Sequence, residues 1–380
     1  MRRATAAERE RLNQTFSTLC RIESPSGSER ACADWVTREL RGMGLEVTED
    51  DRGLEAGSDA GNLLTRIDGA GPGSLLICAH LDTVPLAAPV EPVQVDGGWE
   101  NANEAILGAD NKAAVAVALE LARRLLGSGQ PPPVSVELLF TVCEEVALRG
   151  AKAFDAHRLR SRFGYVFDHA TPIGEIVVAS PTYHRIVAEI HGRSAHAGIR
   201  PEDGRSAIAA AAKGIAAMTL GRLDPETTAN VGTITGGSSA NVVPDRCRVV
   251  AEARSLDPER AESVATEIVD HLQDGADSAE CDLDIEVERM FDGYRTRASE
   301  PHVALAESAL RACGYEPKHI RTGGGSDANA LQAAGFPCTN LANGTERNHQ
   351  TDERVSVDAL EGMLEVAIAL VDQAGAAVDA

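Results

Sequence analysis

Acidic and imidazole residues are spaced along this chain so that only one kind of topology can gather them. His80 follows the apolar run Ser74-Leu75-Leu76-Ile77-Cys78-Ala79, and the pair Glu144-Glu145 follows the strand-like Val134 to Val142. Asp168 follows Tyr165-Val166-Phe167, and Asp110 lies in Gly108-Ala109-Asp110-Asn111-Lys112 at the entry to an alanine-rich helical stretch. His349 stands far downstream, in Glu346-Arg347-Asn348-His349-Gln350-Thr351-Asp352-Glu353. In an α/β protein the residues after parallel strands collect along one edge of the sheet. The first positions can therefore meet there, and His349 can join them only if the end of the chain returns to the same domain and the middle is an insertion.

The local patterns agree. Ala6 to Cys20 and Ser28 to Met43 read as helices, the second stopped by Gly44. Leu45 to Val47, Asn62 to Ile67 and Ser74 to Ala79 read as strands, with loop composition from Asp50 to Gly61 and a loop or hairpin from Pro85 to Ala105. A helix runs from about Asn111 to Gly127 before Pro131-Pro132-Pro133, and a short helix starts near Gly150. After Ser180-Pro181 the texture changes to strands at His184 to His191, Asn230 to Thr235, Arg246 to Ala253 and Leu283 to Met290, with helices at Ser206 to Met218 and Pro258 to Leu272. From about Asp292 the alternation returns, with Pro301 to Ala312, Pro317 to Ile320, Ala328 to Ala334, Pro337 to Leu341 and a last helix from Val357 to Val371. The expected fold is α/β: a catalytic domain of residues 1–180 and 292–380 with a mostly parallel, mixed sheet flanked by helices, and an α+β insert of four strands and two helices at 181–291.

At 380 residues the chain exceeds one ordinary core, which favours two compact units. Its formal charge of −22 argues against nucleic acid and anionic membranes as partners, since both require a concentrated basic face. The dispersed acidic residues form a solvated surface, with salt adaptation an open reading. The eight cysteines show no paired spacing and read as buried free thiols of a reducing compartment. Cys143 is assigned to sheet packing rather than to nucleophilic chemistry. With no apolar signal core and no run of about eighteen apolar residues, the expected location is the cytoplasm.

Imidazole and carboxylate donors suit zinc, with manganese or cobalt as alternatives. Five ligands are too many for one catalytic ion but suit two ions that share a carboxylate at a separation of roughly 3.5–4 Å. Asp110 is the expected bridge, although a residue at that place could simply cap its helix. Asp82, two residues after His80, can fix the imidazole tautomer. One of Glu144 and Glu145 then binds metal while its neighbour takes a proton from water.

These segments, in this order, resemble the M20 family of co-catalytic zinc peptidases and deacylases over nearly the whole chain, its peptidase T-like branch in particular. The resemblance rests on His80-Leu81-Asp82-Thr83-Val84, Leu107 to Lys112, Thr141 to Glu145, Phe167-Asp168, Gly323-Gly324-Gly325-Ser326-Asp327 and His349 to Glu353. It implies two Zn²⁺ per chain, one held by His80, Asp110 and Asp168 and the other by Asp110, Glu145 and His349. Glu144 would be the general base and Asp82 the acid orienting His80. By the same resemblance the insert is a lid and homodimerisation domain. In it His196 of Gly192 to Gly198 stabilises the oxyanion, while Asn241 and Arg254, with Gly324, Gly325 and Ser326, bind substrate. Ala114 and Ala147 stand where relatives often have glycine, and Gln350 where a threonine often follows the histidine. The implied activity is exopeptidase cleavage of di- and tripeptides. Alternatives are an N-acyl amino acid deacylase with an acylated amino-acid substrate, and a non-catalytic peptide-binding protein.

Overall fold

The computed structural model describes residues 3–378. By internal contact density these form two compact units. One runs to Val178 and resumes with Thr296–Arg321 and from Gly325 onward; the other is Ala179–Arg295 with Thr322–Gly324.

The first unit is built on a mixed sheet. In spatial order its strands are Val47–Glu49, Leu63–Ile67, Ser135–Thr141, Ser74–His80, Gly164–His169, Cys338–Ala342 and Glu175–Ser180, with Lys318–Arg321 beside the last. The four from Ser135–Thr141 to Cys338–Ala342 are parallel, and their neighbours on either side are antiparallel. The parallel strands read as continuous apolar runs because helices cover both faces. Ser74–His80 is buried from Leu75 onward. Register decides where the chemistry falls: His80 pairs with Thr141, and Cys78 pairs with Val166. Two residues further along each strand, His80 and Asp168 stand level, and Glu144-Glu145 follows close behind Thr141.

The helix Ala109–Gly127 lies at the heart of this unit, buried from Ala109 to Ala122, and its alanines let it pack closely under the helices Ala6–Cys20 and Val357–Val378. A second, small antiparallel sheet orders Thr345–Glu346, Arg354–Ser356, Gly98–Asn101 and Pro92–Val95. The loop 347–353 is thus pinned at both ends by paired strands, which is what holds His349 in place.

The second unit is an antiparallel sheet in the order Gly221–Asp224, Thr227–Gly236, Arg246–Ser255, Thr182–His191, Asp282–Phe291. Its core of Ile186, Ala188, Ile190, Val249 and Ala251 lies under the helices Ala207–Ala217 and Pro258–Ser278. Those helices approach so closely that a Cβ on Gly275 would stand 2.5 Å from the carbonyl oxygen of Ala210.

Several boundaries differ from the expectation. The insert has a short fifth strand, Gly221–Asp224, which runs straight into the turn before Thr227 and is too brief to show alternation. Glu175–Ser180 is a strand that the sequence reading passes over, because Ile176 and Val177 are both buried and the period of two is lost. Within the supposed loop 50–61, Gly53–Ala56 makes one helical turn. The strand placed at Leu45 to Val47 lies at Val47–Glu49. The helix expected to end at Leu272 continues through Gly275 to Ser278, and the last helix continues through Gly375 to Val378. All eight cysteines are free, and none of the described helices is long and apolar enough to cross a membrane.

Candidate metal centre

His80 leaves the end of its strand with Nδ1 3.0 Å from the backbone oxygen of Asp82 and 3.3 Å from Asp82 Oδ1. That fixes the ring and turns Nε2 toward Asp110 Oδ1, at 3.2 Å, and Asp168 Oδ1, at 3.9 Å. On the other side of Asp110, Oδ2 lies 3.3 Å from His349 Nε2, which in turn is 2.9 Å from Glu145 Oε1. Asp110 therefore stands between both imidazoles. It does not cap its helix: Gly108 holds the cap position without a side-chain bond, and the backbone of Asp110 and Asn111 departs from helical geometry to present the carboxylate.

No local sequence pattern assigns a role to the groups that support this carboxylate. Glu353 is 2% exposed. Its carboxylate accepts hydrogen bonds from the backbone N–H groups of Leu107 and Gly108, both at 2.8 Å, and of Asp110 at 3.0 Å. Asn348 Nδ2 donates to Asp110 Oδ2 at 2.9 Å. Both residues lie in the His349 segment, where an acid four residues after a histidine was the available signal. The Asp82 carboxylate accepts from the backbone N–H of Glu144 at 2.9 Å and of Glu145 at 3.1 Å, and from Ser26 Oγ at 2.7 Å. One acid thus orients both the histidine and the glutamate turn. Glu29 also braces that turn, accepting from Cys143 N at 3.0 Å, and nothing in its sequence surroundings marks it. Cys143 is buried with its thiol pushed up to about 12 by burial and by Glu29, so it is no nucleophile.

The turn itself is strained. Cys143, Ala147 and Leu148 all have positive φ, with Ala147 at 73°. A left-handed residue with a Cβ costs roughly 1–2 kcal/mol, part of which glycine returns as unfolded-state entropy. Ala147→Gly is expected to stabilise the fold by about 0.5 kcal/mol, read from the urea midpoint at unchanged m-value.

Carboxylates crowd this centre and outnumber the imidazoles. Burial, with the charge of Asp168, pushes the Glu144 carboxyl well above its usual range, and burial with the charge of Asp110 does the same to Asp168. Burial also raises Glu145. Burial alone would lower His80, but its bonds to Asp110 and Asp82 carry it well above the ordinary imidazole value. His349 is raised to about 10 by its bonds to Asp110 and Glu145. Such a set calls for further positive charge. His80, Asp110 and Asp168 have ligand atoms within 4.8 Å of one another, as do Asp110, Glu145 and His349. These clusters fit a pair of divalent ions bound through nitrogen and oxygen. His80, Glu144 and Glu145 also meet that spacing. The two clusters that share Asp110 use each imidazole once.

The remaining expected site residues divide between the units. Ser326 is buried at the start of the helix Asp327–Ala333, its N–H bonded to Asn329 Oδ1 at 3.1 Å, and Gly325 adjoins it in the first unit. His196, Asn241, Arg254 and Gly324 belong to the second. His196 is exposed, and its Nδ1 accepts from Gly198 N at 3.2 Å, which favours the tautomer with a donor at Nε2. Asn241 is exposed and accepts from Ser239 Oγ at 2.6 Å. Arg254 stacks 4.0 Å over the Tyr183 ring and binds Glu252, at 3.1 Å, and the carbonyl of Gly323. Gly324 accepts from Ser180 Oγ at 2.8 Å.

Residues 76–373 match the family described as peptidase family M20/M25/M40. An uncharacterised protein of Bacillus subtilis, YqjE, is 35% identical over 365 residues, spanning 96% of this chain and 98% of its own. The crystal structure of the aminopeptidase PepT from Bacillus cereus is similar at 37% identity and a TM-score of 0.85, covering 96% of this chain and 98% of that one. A tripeptidase structure from Staphylococcus aureus is similar at 33% identity and a TM-score of 0.91, covering 97% and 99%.

Proposed function

Because the chain belongs to peptidase family M20/M25/M40, and is a peptide hydrolase of its peptidase T-like branch, we propose that it is a two-zinc exopeptidase acting on di- and tripeptides. The observation that carries this reading is the Asp110 carboxylate, with one oxygen beside each imidazole.

His80, Asp110 and Asp168 would hold one zinc, and Asp110, Glu145 and His349 the other. When bound, the pair supplies Lewis acidity toward a water and toward the scissile carbonyl. Glu144 takes the proton of the attacking water and returns it to the nitrogen of the leaving amine. Burial and the charge of Asp168 raise this carboxyl, so it holds the transferred proton more readily than an ordinary glutamate. Asp82 fixes the His80 ring and the two amides of the glutamate turn, so base and ligand keep their places through the cycle. His196 would donate its Nε2 proton to the oxyanion. Arg254 and Asn241, with the glycines before Ser326, would hold the substrate's carboxylate. We further read residues 181–291 as lid and homodimer face, the remaining chain as the catalytic domain, and the setting as cytoplasmic.

The zinc-reconstituted protein, given mixtures of tripeptides, N-acetyl and N-succinyl amino acids, is expected to release one residue from tripeptides, as read by mass spectrometry. Cleavage confined to the acylated amino acids would replace this reading by a deacylase. No hydrolysis beyond that of Glu144→Ala would leave a peptide-binding protein.

Proton linkage gives a further expectation. After chelation His349 keeps its proton up to about pH 10, and this histidine would have to release it in order to hold a metal ion. Zinc affinity then falls as pH falls, about tenfold per unit for each proton released, measurable by calorimetry in buffers of different ionisation enthalpy. Because the folded value lies above the unfolded one, of about 6.5, this proton stabilises the chelated fold fully below that pH. The contribution is lost as pH rises through about 10.

A further inference from the structure

A cavity of about 450 Å³ opens in the second unit between the helix Pro258–Ser278 and the sheet edge formed by Asp282–Phe291. Its walls follow from two periodicities. Glu262, Ala265, Thr266 and Val269 fall at i, i+3, i+4 and i+7, one stripe of the helix. His184 and Arg289 are direct partners in the antiparallel register, so their side chains share a face, and Val287 is the next residue on that side of the edge strand.

His184 is 6% exposed, and among the described residues neither of its ring nitrogens has a hydrogen-bond partner. Buried polar groups left unbonded are rare and costly. Burial, reinforced by the charge of Arg289 and opposed by Glu262 and Asp292, holds the ring below its ordinary value, so near neutral pH it has one donor and one acceptor. Arg289 spends Nη1 on Asp292, at 3.0 Å. The Glu262 carboxylate enters no ion pair among the described residues. A guanidinium, a carboxylate and a neutral imidazole thus surround an apolar floor, in a volume within the roughly 300–1,000 Å³ typical of small-ligand sites.

We propose that this cavity binds a free aliphatic α-amino acid. Its carboxylate is received by Arg289 and His184, its ammonium by Glu262, and its side chain by Ala265, Val269 and Val287. A lone divalent cation meets the opposing charge of Arg289, and a phosphate meets that of Glu262; a zwitterion meets neither. The supply of such a ligand as a hydrolysis product rests on the reading of the chain as a peptidase, whereas its recognition does not.

The test follows the His184 ring by NMR in the full, zinc-loaded chain carrying Glu144→Gln, so that no ligand is hydrolysed to free amino acid, and labelled with ¹⁵N-histidine, the resonances being assigned by their loss in His184→Gln. Leucine and valine are expected to shift them saturably. N-acetyl-leucine, without the ammonium, and leucinamide, without the carboxylate, bind at least about tenfold more weakly. Glu262→Gln, a change at an exposed position, weakens leucine binding by a similar factor and leaves peptide hydrolysis unaltered; it also serves if His184→Gln does not fold. Equal shifts with Leu-Leu, shifts only with zinc or inorganic phosphate, or none with any of these would each overturn the proposal. The readout needs no turnover, so an enzyme inactive on peptides leaves this test intact.

Discussion

Glu144→Gln is expected to lower kcat for tripeptide hydrolysis by about 10²–10⁴-fold, the range for removal of a general acid–base group. KM and bound zinc are expected to be unchanged. The split is informative because His80, Glu144 and Glu145 could themselves cluster around an ion. If Glu144 were a ligand, the variant would lose metal together with rate. The proposed mechanism gives Glu144 a different task. Its backbone is fixed by Asp82, its side chain is buried, and its carboxyl binds a proton unusually tightly because of burial and the neighbouring charge of Asp168. Amide substitution keeps the shape and removes only the proton acceptor. Elemental analysis beside steady-state kinetics decides: a metal-depleted Glu144→Gln would move Glu144 into the ligand set and leave the reaction without its base.

Asp110→Ala is expected to weaken binding of both ions by more than about 100-fold, beyond the effect of removing an outer partner of a ligand, and to bring hydrolysis down to background. The reasoning is geometric. Without Asp110, His80 keeps only Asp168 and His349 keeps only Glu145 as ligand neighbours in the proposed set. Two ligands do not hold a catalytic ion against exchange. Asp168→Ala should instead release one ion first and leave the cluster of Asp110, Glu145 and His349 able to hold the other. Stepwise dialysis with metal quantification separates these outcomes. Retention of two equivalents by Asp110→Ala would dismantle the shared-carboxylate reading. The fold should survive, since the alanine-rich helix is buried from Ala113 onward by contacts that the carboxylate does not make.

Much of this centre could be read from sequence because strand ends announce themselves. The apolar run before His80, the run before Glu144 and Tyr165-Val166-Phe167 before Asp168 each predict both a strand and the edge at which it stops. What sequence could not show were the hydrogen bonds that keep the acids in position. Glu353 looks like one more acid in a polar loop until three backbone N–H groups are found converging on it. Glu29 sits at the start of a helix and serves a turn more than a hundred residues away. Ala147 satisfies no local rule, and its positive φ is imposed by a turn that Asp82 and Glu29 hold from outside.

The sequence by itself determined the order of elements, the mixed α/β sheet and the identity of residues that gather at its carboxyl edge, because hydrophobic periodicity and strand termination are local properties. Only the tertiary structure decided that Asp110 faces two imidazoles rather than capping a helix, that Glu353 supports its backbone, and that His184 lies buried without a hydrogen-bond partner among the described residues. Those facts depend on register and packing between segments remote along the chain, which no local pattern encodes.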